Sequence, residues 1–160
     1  MKKVGVILLV VVGMLAGAAV QQANAEDKKV DFSLNLGVMS FYGGEFSFSG
    51  FGLTLSPQVD IHVTKGFMIS PEAMFLTDFE FSGVVGFPGI IFNYLGKGFF
   101  VGGGVVLPVA ISGELGVGEL LPKFNIGYHG RHINLTAYTI TSFNGIFRWG
   151  LVGASLGYRF

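Results

Sequence analysis

The chain has 160 residues, no cysteine, and 10 basic against 10 acidic residues. The absence of cysteine excludes a fold held by disulfides, and the even charge balance gives no basic footprint for nucleic acid. Hydrophobic residues make up 51% of the chain, yet after Val20 no apolar run is long enough to form a membrane-spanning helix. The hydrophobic residues must therefore alternate with small or polar ones.

The amino terminus has the pattern of a cleavable signal peptide. Two lysines are followed by the almost unbroken apolar stretch 4–20, and residues 23–25 form a small-x-small cleavage site. The alternative is an uncleaved membrane anchor, because the apolar stretch is close to the length that spans a bilayer. Cleavage after Ala25 predicts a signal peptide over residues 1–25 and one mature domain over residues 26–160.

Period-two alternation predicts three long strands in the first half of the mature chain. Successive side chains of a strand point to opposite faces, so alternation gives one apolar face and one small or polar face. The strands are predicted at residues 30–38, 51–63 and 67–75. Pro57 and Pro71 lie inside the second and third strands, where each removes a ladder donor and favours a bulge or weakened pairing.

The second half of the chain predicts five more strands. The segment 82–89 has no sustained alternation, so the fourth strand is predicted only at about residues 88–95. The fifth strand is predicted to place Val109 on the same apolar face as Val105, and the seventh loses its pattern in its second half. The last four strands are predicted at residues 99–112, 123–129, 133–138 and 152–160.

Tight turns recur at regular intervals between these strands. Turns that contain glycine lie at Lys65, Lys97 and Arg131. The first two turns are 32 residues apart, the second and third are 34 apart, and Phe160 follows the third by 29 residues. Each interval fits one hairpin whose strands have ~9–11 residues, the length of a tilted transmembrane strand. Four hairpins predict eight strands.

The two chemically different faces of the strands predict a closed barrel. In lipid every backbone N–H and C=O must be paired within the protein, so strands with an apolar outer face must close without edges. The predicted fold is an all-β, closed, eight-stranded antiparallel up-and-down transmembrane β-barrel, with an interior that side chains can fill. Its acidic inward residues are expected to pair with the basic ones. The predicted polar residues of this lumen are Asp31, Asp60, Glu72, Lys123 and Arg159.

Aromatic residues cluster at both ends of the predicted strands and are candidates for girdles at the membrane interfaces. The alternative is aromatic packing inside a soluble, lipocalin-like barrel, which would turn its charges outward. Charged residues are only 12% of the chain, too few to cover such an exterior. The two predicted girdles are Phe41, Tyr42, Phe46, Phe48 and Phe51 near the first loop, and Phe67, Phe99, Tyr128, Tyr158 and Phe160 near the turns.

The last nine residues are the most specific feature of the sequence. Five apolar residues alternate there with small or polar ones, and the chain ends on an aromatic residue. This ending resembles the carboxy-terminal strand of bacterial outer-membrane barrels, and the mature chain resembles small eight-stranded barrels of the OmpX and OmpA-domain type. The resemblance implies that Leu156, Tyr158 and Phe160 form the assembly signal read by the barrel-insertion machinery.

The same resemblance implies a location in the outer membrane of a Gram-negative bacterium, with the amino terminus in the periplasm. The implied partners are outer-membrane lipids and lipopolysaccharide, together with periplasmic chaperones and the insertion machinery during biogenesis. No nucleic acid partner and no cofactor are expected. Barrels of this class include structural proteins, adhesion factors, narrow pores and lipid A-modifying enzymes, so fold alone does not choose the function. A structural or surface-interaction role is favoured, with a narrow porin-like pore and a lipid A-modifying enzyme as alternatives.

The histidines are the first residues to consider for an enzymatic function. His62 and Asp60 share the inward face of the second strand, and His129 points inward on the sixth. Lipid A deacylase barrels carry a His-x-Ser-Asn type motif, but the nearest segment here, 129–134, lacks the serine. His62, His129 and His132 also lie near the predicted periplasmic ends, away from outer-leaflet lipid A. The sequence therefore predicts no enzyme, no catalytic residue and, because no ligand spacing stands out, no metal site.

Overall fold

The computed structural model describes residues 30–43, 47–80, 83–111, 116–144 and 149–160. The predicted signal peptide and its cleavage site lie outside these residues, so both stay predictions. No helix in the described segments has the length and hydropathy needed to span a membrane.

Ten β-strands make up the described part of the chain. Eight of them are long, while β6 and β7 have two residues each. The strands are β1 Val30–Gly43, β2 Ser47–Thr64, β3 Phe67–Asp78, β4 Val84–Gly96, β5 Phe99–Val106, β6 Val109–Ala110, β7 Gly116–Val117, β8 Leu121–His129, β9 Ile133–Thr141 and β10 Trp149–Arg159.

The eight long strands form a closed antiparallel barrel. Their hydrogen-bonded order is β3-β2-β1-β10-β9-β8-β5-β4, and β4 pairs back with β3. The first and last strands meet in continuous register, from Ser33 opposite Arg159 to Gly43 opposite Trp149. Every strand of the eight is thus paired on both sides, as strands in lipid require. The predicted closed eight-stranded barrel is confirmed.

The side chains alternate between the interior and the outer surface along each barrel strand. In β3, residues 68, 70, 72, 74 and 76 are buried, and the residues between them are partly exposed. The outer face carries large apolar side chains such as Leu36, Phe92, Ile126 and Leu156, all of them exposed. This arrangement is the reverse of a soluble barrel, which buries its apolar face.

The connections between strands divide the barrel into two ends. Short turns at residues 65–66, 97–98 and 130–132 lie at one end, called here the turn end. The strand ends Gly43 and Ser47, Asp78 and Val84, Val106 and Leu121, and Thr141 and Trp149 lie at the opposite end, called the loop end. Lys97 and Gly98 both have positive φ, 51° and 86°, as a two-residue hairpin turn requires.

Two strands differ from their predicted limits. β4 begins at Val84, because residues 84–86 pair with β3 through the backbone even though their side chains do not alternate. β5 ends at Val106, since Pro108 has no N–H and the chain leaves the barrel ladder there. Val109 then pairs with Gly86 in the short β6 and is buried, so the prediction that it points outward was wrong.

The two prolines inside β2 and β3 leave the strand register unchanged. Leu55 lies opposite Phe75 and Gln58 opposite Glu72, so the ladder keeps its register past both prolines. Register shifts occur elsewhere, between Ser40 and Phe41 and between residues 62 and 64. No bulge forms at either proline, but β2 and β3 are unpaired at residues 56–57 and 59–60, opposite or beside the two prolines. The predicted weakened pairing is therefore confirmed, and the bulge alternative was wrong.

Candidate functional site in the barrel interior

Side chains fill the barrel interior in three layers between the loop end and the turn end. An apolar layer lies in the loop half, and a polar layer with a buried ion pair lies in the middle. A cluster of aspartate, histidine and arginine side chains lies at the turn end. All three layers are built from the inward positions of the alternating strands.

The apolar layer is built from six strands. Met39 and Met74 are almost completely buried within it. The inward residues Tyr138 and Ile140 of β9 belong to the layer, which explains why the second half of this strand loses its alternation of apolar and polar residues. Densely packed apolar side chains exclude water, so this layer opposes a continuous water path. Its members are Met39, Met74, Leu76, Phe87, Val106, Tyr138, Ile140 and Leu151.

A buried ion pair crosses the middle of the barrel. Lys123 Nζ of β8 lies 2.5 Å from Glu72 Oε1 of β3, and each side chain is only 4% exposed. Two other strands, β4 and β5, separate β3 from β8 around the barrel. The contact therefore crosses the interior and is not a pair between neighbouring strands. Burying two charges is costly unless they are paired and hydrogen-bonded. The pair therefore ties together two distant parts of the wall.

Tyr138 packs beside this ion pair. The ammonium group of Lys123 lies 4.6 Å from the centroid of its ring, in cation–π contact. Tyr138 Oη donates to Thr54 Oγ1 at 3.5 Å. Space for the ring comes from Gly153, the cross-strand neighbour, where an added Cβ would lie 2.5 Å from Tyr138 Cζ. A cavity of about 20 Å³ remains here, bordered by Glu72 and Lys123, with room for about one water molecule.

Asp60 is fully buried in a separate hydrogen-bond chain. Its Oδ1 accepts from Gln58 Nε2 at 2.6 Å and from Ser70 Oγ at 2.7 Å. Asn93 Nδ2 in turn donates to Ser70 Oγ at 2.9 Å. Asp60 Oδ2 has no hydrogen-bond partner among the described residues. The carboxylate thus meets hydrogen-bond donors here, whereas the sequence predicted a basic partner.

Four side chains converge at the turn end of the interior. Asp31 Oδ2 lies 3.0 Å from His62 Nε2 and 3.5 Å from Arg159 Nη1. Arg159 also contacts His129 Nε2. The rings of His62 and His129 lie 5.7 Å apart between centroids, although β2 and β8 stand four positions apart in both directions around the barrel. These two histidines therefore meet across the full width of the interior.

The predicted lumen residues thus fall into separate groups. Glu72 meets Lys123, and Asp31 meets Arg159, whereas Asp60 is held by neutral donors. The sequence did not indicate that Asp31, His62 and His129 would come together, because β8, which carries His129, is far along the chain from the β1–β2 hairpin. Their donor atoms all lie within 4.8 Å of one another, so within the described part of the chain these three residues have the spacing needed to hold a metal ion.

The comparisons with known proteins bear on the fold. No protein-family model matches the chain, and no curated protein matches it. Among solved structures, Neisserial surface protein A (NspA) is similar at a TM-score of 0.56 and 11% identity, over 82% of this chain and 96% of that one. Ail, the attachment invasion locus protein of Yersinia pestis, is similar at a TM-score of 0.51 and 9% identity, over 82% and 97%.

The chain has the fold of the small eight-stranded outer-membrane β-barrels. At these identities the likeness concerns architecture, and the activity has to be argued from the residues.

An aromatic belt surrounds the turn end of this outer-membrane-type barrel. Phe99 and Tyr128 stack edge-on with centroids 5.6 Å apart, and Phe67 and Phe92 are stacked at 6.4 Å. The exposed aromatic rings lie where the apolar face meets the polar end of the barrel, as interfacial girdles do. The other predicted girdle, near the first loop, includes Phe46 and Phe48. The structure does not describe the side chains of these two residues.

The residues of the predicted assembly signal lie on the outer face of β10 and directly after its end. Leu156, Tyr158 and Phe160 are all exposed there. The backbone N–H of Phe160 donates to the Phe32 carbonyl at 2.9 Å, and the two rings lie 5.6 Å apart. The terminal residue is thus anchored to β1 in the folded barrel, while its recognition by the insertion machinery stays a prediction.

Replacing Phe160 with Asp is expected to lower the amount of folded protein in the outer membrane without blocking export. The resemblance assigns the terminal aromatic to the assembly signal, and only one residue of a nearly complete strand is changed. Heat-modifiable gel migration and membrane fractionation measure the result, with Phe160→Tyr as the matched control that keeps an aromatic terminus. Normal amounts of folded, membrane-bound Phe160→Asp protein would contradict the signal.

Proposed function

We propose that the protein is an integral protein of the bacterial outer membrane with a structural or surface-interaction role. A single observation carries this proposal: a side-chain-filled interior is enclosed by an apolar outer face, and the described loop-end residues also expose apolar side chains. Large exposed apolar residues lie on the outer face of β1, β2, β4, β5, β8, β9 and β10. Such a face matches hydrocarbon better than water.

The proposed partners follow from this placement. Outer-membrane lipids and lipopolysaccharide would contact the apolar face and the aromatic belt. Periplasmic chaperones and the barrel-insertion machinery would bind the chain before it folds, through the carboxy-terminal strand. The predicted signal peptide would direct export.

A filled interior favours a structural or surface role over a narrow pore. The apolar layer and the Glu72–Lys123 pair both lie across the interior. The cavity beside that pair has room for about one water molecule. We therefore expect no stepwise conductance when the purified protein is inserted in planar lipid bilayers. Reproducible conductance steps would favour the pore instead.

The loop end supports interaction with a partner at the cell surface. Phe79, Val117, Leu120 and Phe143 belong to the loop-end connections or to the short β7, and all four side chains are exposed. A contiguous exposed apolar patch is typical of an interaction site, and we propose that these four side chains form one. NspA is named as a surface protein and Ail as an attachment invasion protein, which supports the same kind of role here.

Adherence of whole cells to hexadecane droplets tests this surface role. Cells that produce the protein should adhere more than cells that produce a variant with serine at positions 79, 117, 120 and 143. The matched control variant replaces the lipid-facing Phe92 and Ile126 with alanine, which should leave adherence unchanged. Equal adherence of the wild-type and serine cells, at equal amounts of folded protein, would contradict an apolar interaction surface.

We propose no catalytic role. His62 and His129 lie at the turn end, and the proposed orientation places that end in the periplasm, away from outer-leaflet lipid A. Lipid A from cells with and without the protein should therefore give the same mass spectrum. A mass difference that depends on this protein would favour the lipid A-modifying alternative.

The orientation is tested by single cysteines at the two ends. The short turns of outer-membrane barrels face the periplasm and the other connections face outward. Cysteine at Gly116, in β7 of the loop end, should react with an impermeant thiol reagent on whole cells, while cysteine at Lys65 in a short turn should not. Because the natural chain has no cysteine, any labelling reports the introduced residue alone. Reaction at position 65 but not at 116 would reverse the orientation.

A further inference from the structure

We propose that Asp31, His62 and His129 form a binding site for a divalent transition-metal ion at the turn end of the barrel, with Zn²⁺ as the ion they suit best. The proposal does not depend on the surface role, because the site lies at the opposite end from the exposed loop residues. It would connect β1 and β2 to β8 across the interior.

The geometry of the three side chains fits one metal ion. Each residue contributes one donor atom, and the three donor atoms lie within 4.8 Å of one another. Zinc bonds of ~2.0–2.2 Å place tetrahedral ligands about 3.3 Å apart. His62 Nε2 and Asp31 Oδ2, at 3.0 Å, already have this spacing. His129 needs only a side-chain adjustment, because all three residues already project into the same space.

The donor types select the class of ion. Two imidazole nitrogens and one carboxylate oxygen form a ligand set used for zinc and for other first-row divalent ions. Calcium and magnesium prefer oxygen ligands, so two histidines disfavour them. Three protein ligands leave a fourth position free for water or for an external ligand.

The surroundings of the site combine access with negative charge. The side chains of His62 and Asp31 are 24% and 12% exposed, so solvent reaches the site from the turn end. Asp60 lies directly opposite Asp31 in the β1–β2 register. Its carboxylate is fully buried, and one of its oxygens has no hydrogen-bond partner within the described segments. A second carboxylate beside the site makes cation binding more favourable.

Arg159 is the group with which a metal ion would compete. Its guanidinium contacts both His129 and Asp31, so a dication among the three ligands would repel it. Arg159 also donates from Nε and Nη2 to the Arg131 carbonyl, at 3.2 and 2.9 Å. These hydrogen bonds hold the guanidinium toward the 130–132 turn. When the ion displaces the guanidinium from Asp31 and His129, the bonds to the Arg131 carbonyl can remain.

Isothermal titration of ZnCl2 into the purified protein in detergent micelles tests the site. We expect one ion per chain, and affinity lowered more than about tenfold by His62→Ala and by His129→Ala, because each variant removes a ligand. His132→Ala is the matched control, since this histidine is exposed outside the cluster and stacks on Tyr158. Arg159→Gln should bind at least about tenfold tighter, because it removes a competing positive charge.

The folded state of each variant is checked by far-UV circular dichroism and heat-modifiable gel migration before titration. Zinc should also raise the thermal midpoint of the wild-type protein, because an ion that binds only the folded state stabilises it. Absence of binding by the folded wild-type protein would overturn the proposal. Unchanged stoichiometry in a folded His62→Ala/His129→Ala variant, or equal loss in His132→Ala, would overturn it as well.

Discussion

Replacing Glu72 with Leu is expected to destabilise the barrel by about 3–5 kcal/mol, because it leaves a buried ammonium group without its partner. Lys123 and Glu72 are each only 4% exposed, and 2.5 Å separates their charged atoms. The ring of Tyr138 contacts the same ammonium group, but a cation–π contact at a desolvated site contributes only about 2 kcal/mol. It cannot replace the carboxylate.

The double variant Glu72→Leu/Lys123→Met separates the loss of a charge from the loss of the pair. Removing both charges leaves apolar side chains of similar length, which is often neutral or stabilising. We therefore expect this variant to be about as stable as the wild type. Glu80→Leu, which removes an exposed glutamate in the β3–β4 connection, is the matched control for a change of net charge.

Urea unfolding in lipid vesicles, followed by the fluorescence of the single tryptophan, Trp149, measures these stabilities. We expect Glu72→Leu to lower the free energy of unfolding by a large amount and the other two variants to change it little. If the free energy of unfolding of Glu72→Leu lies within about 1 kcal/mol of the wild-type value, water in the adjoining cavity solvates Lys123 well enough to replace the carboxylate.

Replacing Leu55 with Arg is expected to cost about 2–4 kcal/mol of stability in lipid, the cost of arginine on the lipid face near the bilayer midplane. Leu55 lies in the middle of β2 and is 41% exposed on the outer face. Its cross-strand neighbours on that face are Leu36 of β1 and Phe75 of β3, which are also apolar. The arginine would therefore be surrounded by apolar side chains and lipid.

Val63→Arg is the matched control, because Val63 lies on the same strand and face but close to the turn end. Its side chain is 54% exposed, and arginine near an interface should cost only about 0–1 kcal/mol. The same urea titration in vesicles measures both variants. Equal costs at the two positions would show that β2 does not cross the bilayer with Leu55 near its centre.

The sequence by itself determined the presence of the eight barrel strands, the faces of their regular parts and the closure of the barrel. Alternation from residue 51 to residue 63 separates the lipid-facing from the inward positions of β2, because the side-chain period of a strand is two residues. The glycine-containing turn at Lys97 marks a hairpin, because glycine readily adopts the positive φ that a two-residue hairpin turn needs. Closure follows from the physics of lipid, which leaves no backbone group unpaired. All of these features depend on neighbours in the chain or on the solvent alone.

Irregular backbone had to be read from the tertiary structure. β4 extends back to Val84 and β5 stops at Val106, because pairing with neighbouring strands, rather than side-chain alternation, sets these limits. β6 pairs with the beginning of β4, which turns Val109 into a buried position. Alternation in the sequence contains no information about such pairing.

The tertiary structure alone decided which inward side chains meet. Alternation placed Glu72, Lys123, Asp31, His62 and His129 on inward faces without assigning partners. Their contacts depend on which strands face each other across the barrel and on the stagger between those strands, and this stagger is a property of the whole closed sheet. His62 and His129 meet because β2 and β8 lie on opposite sides of a narrow interior.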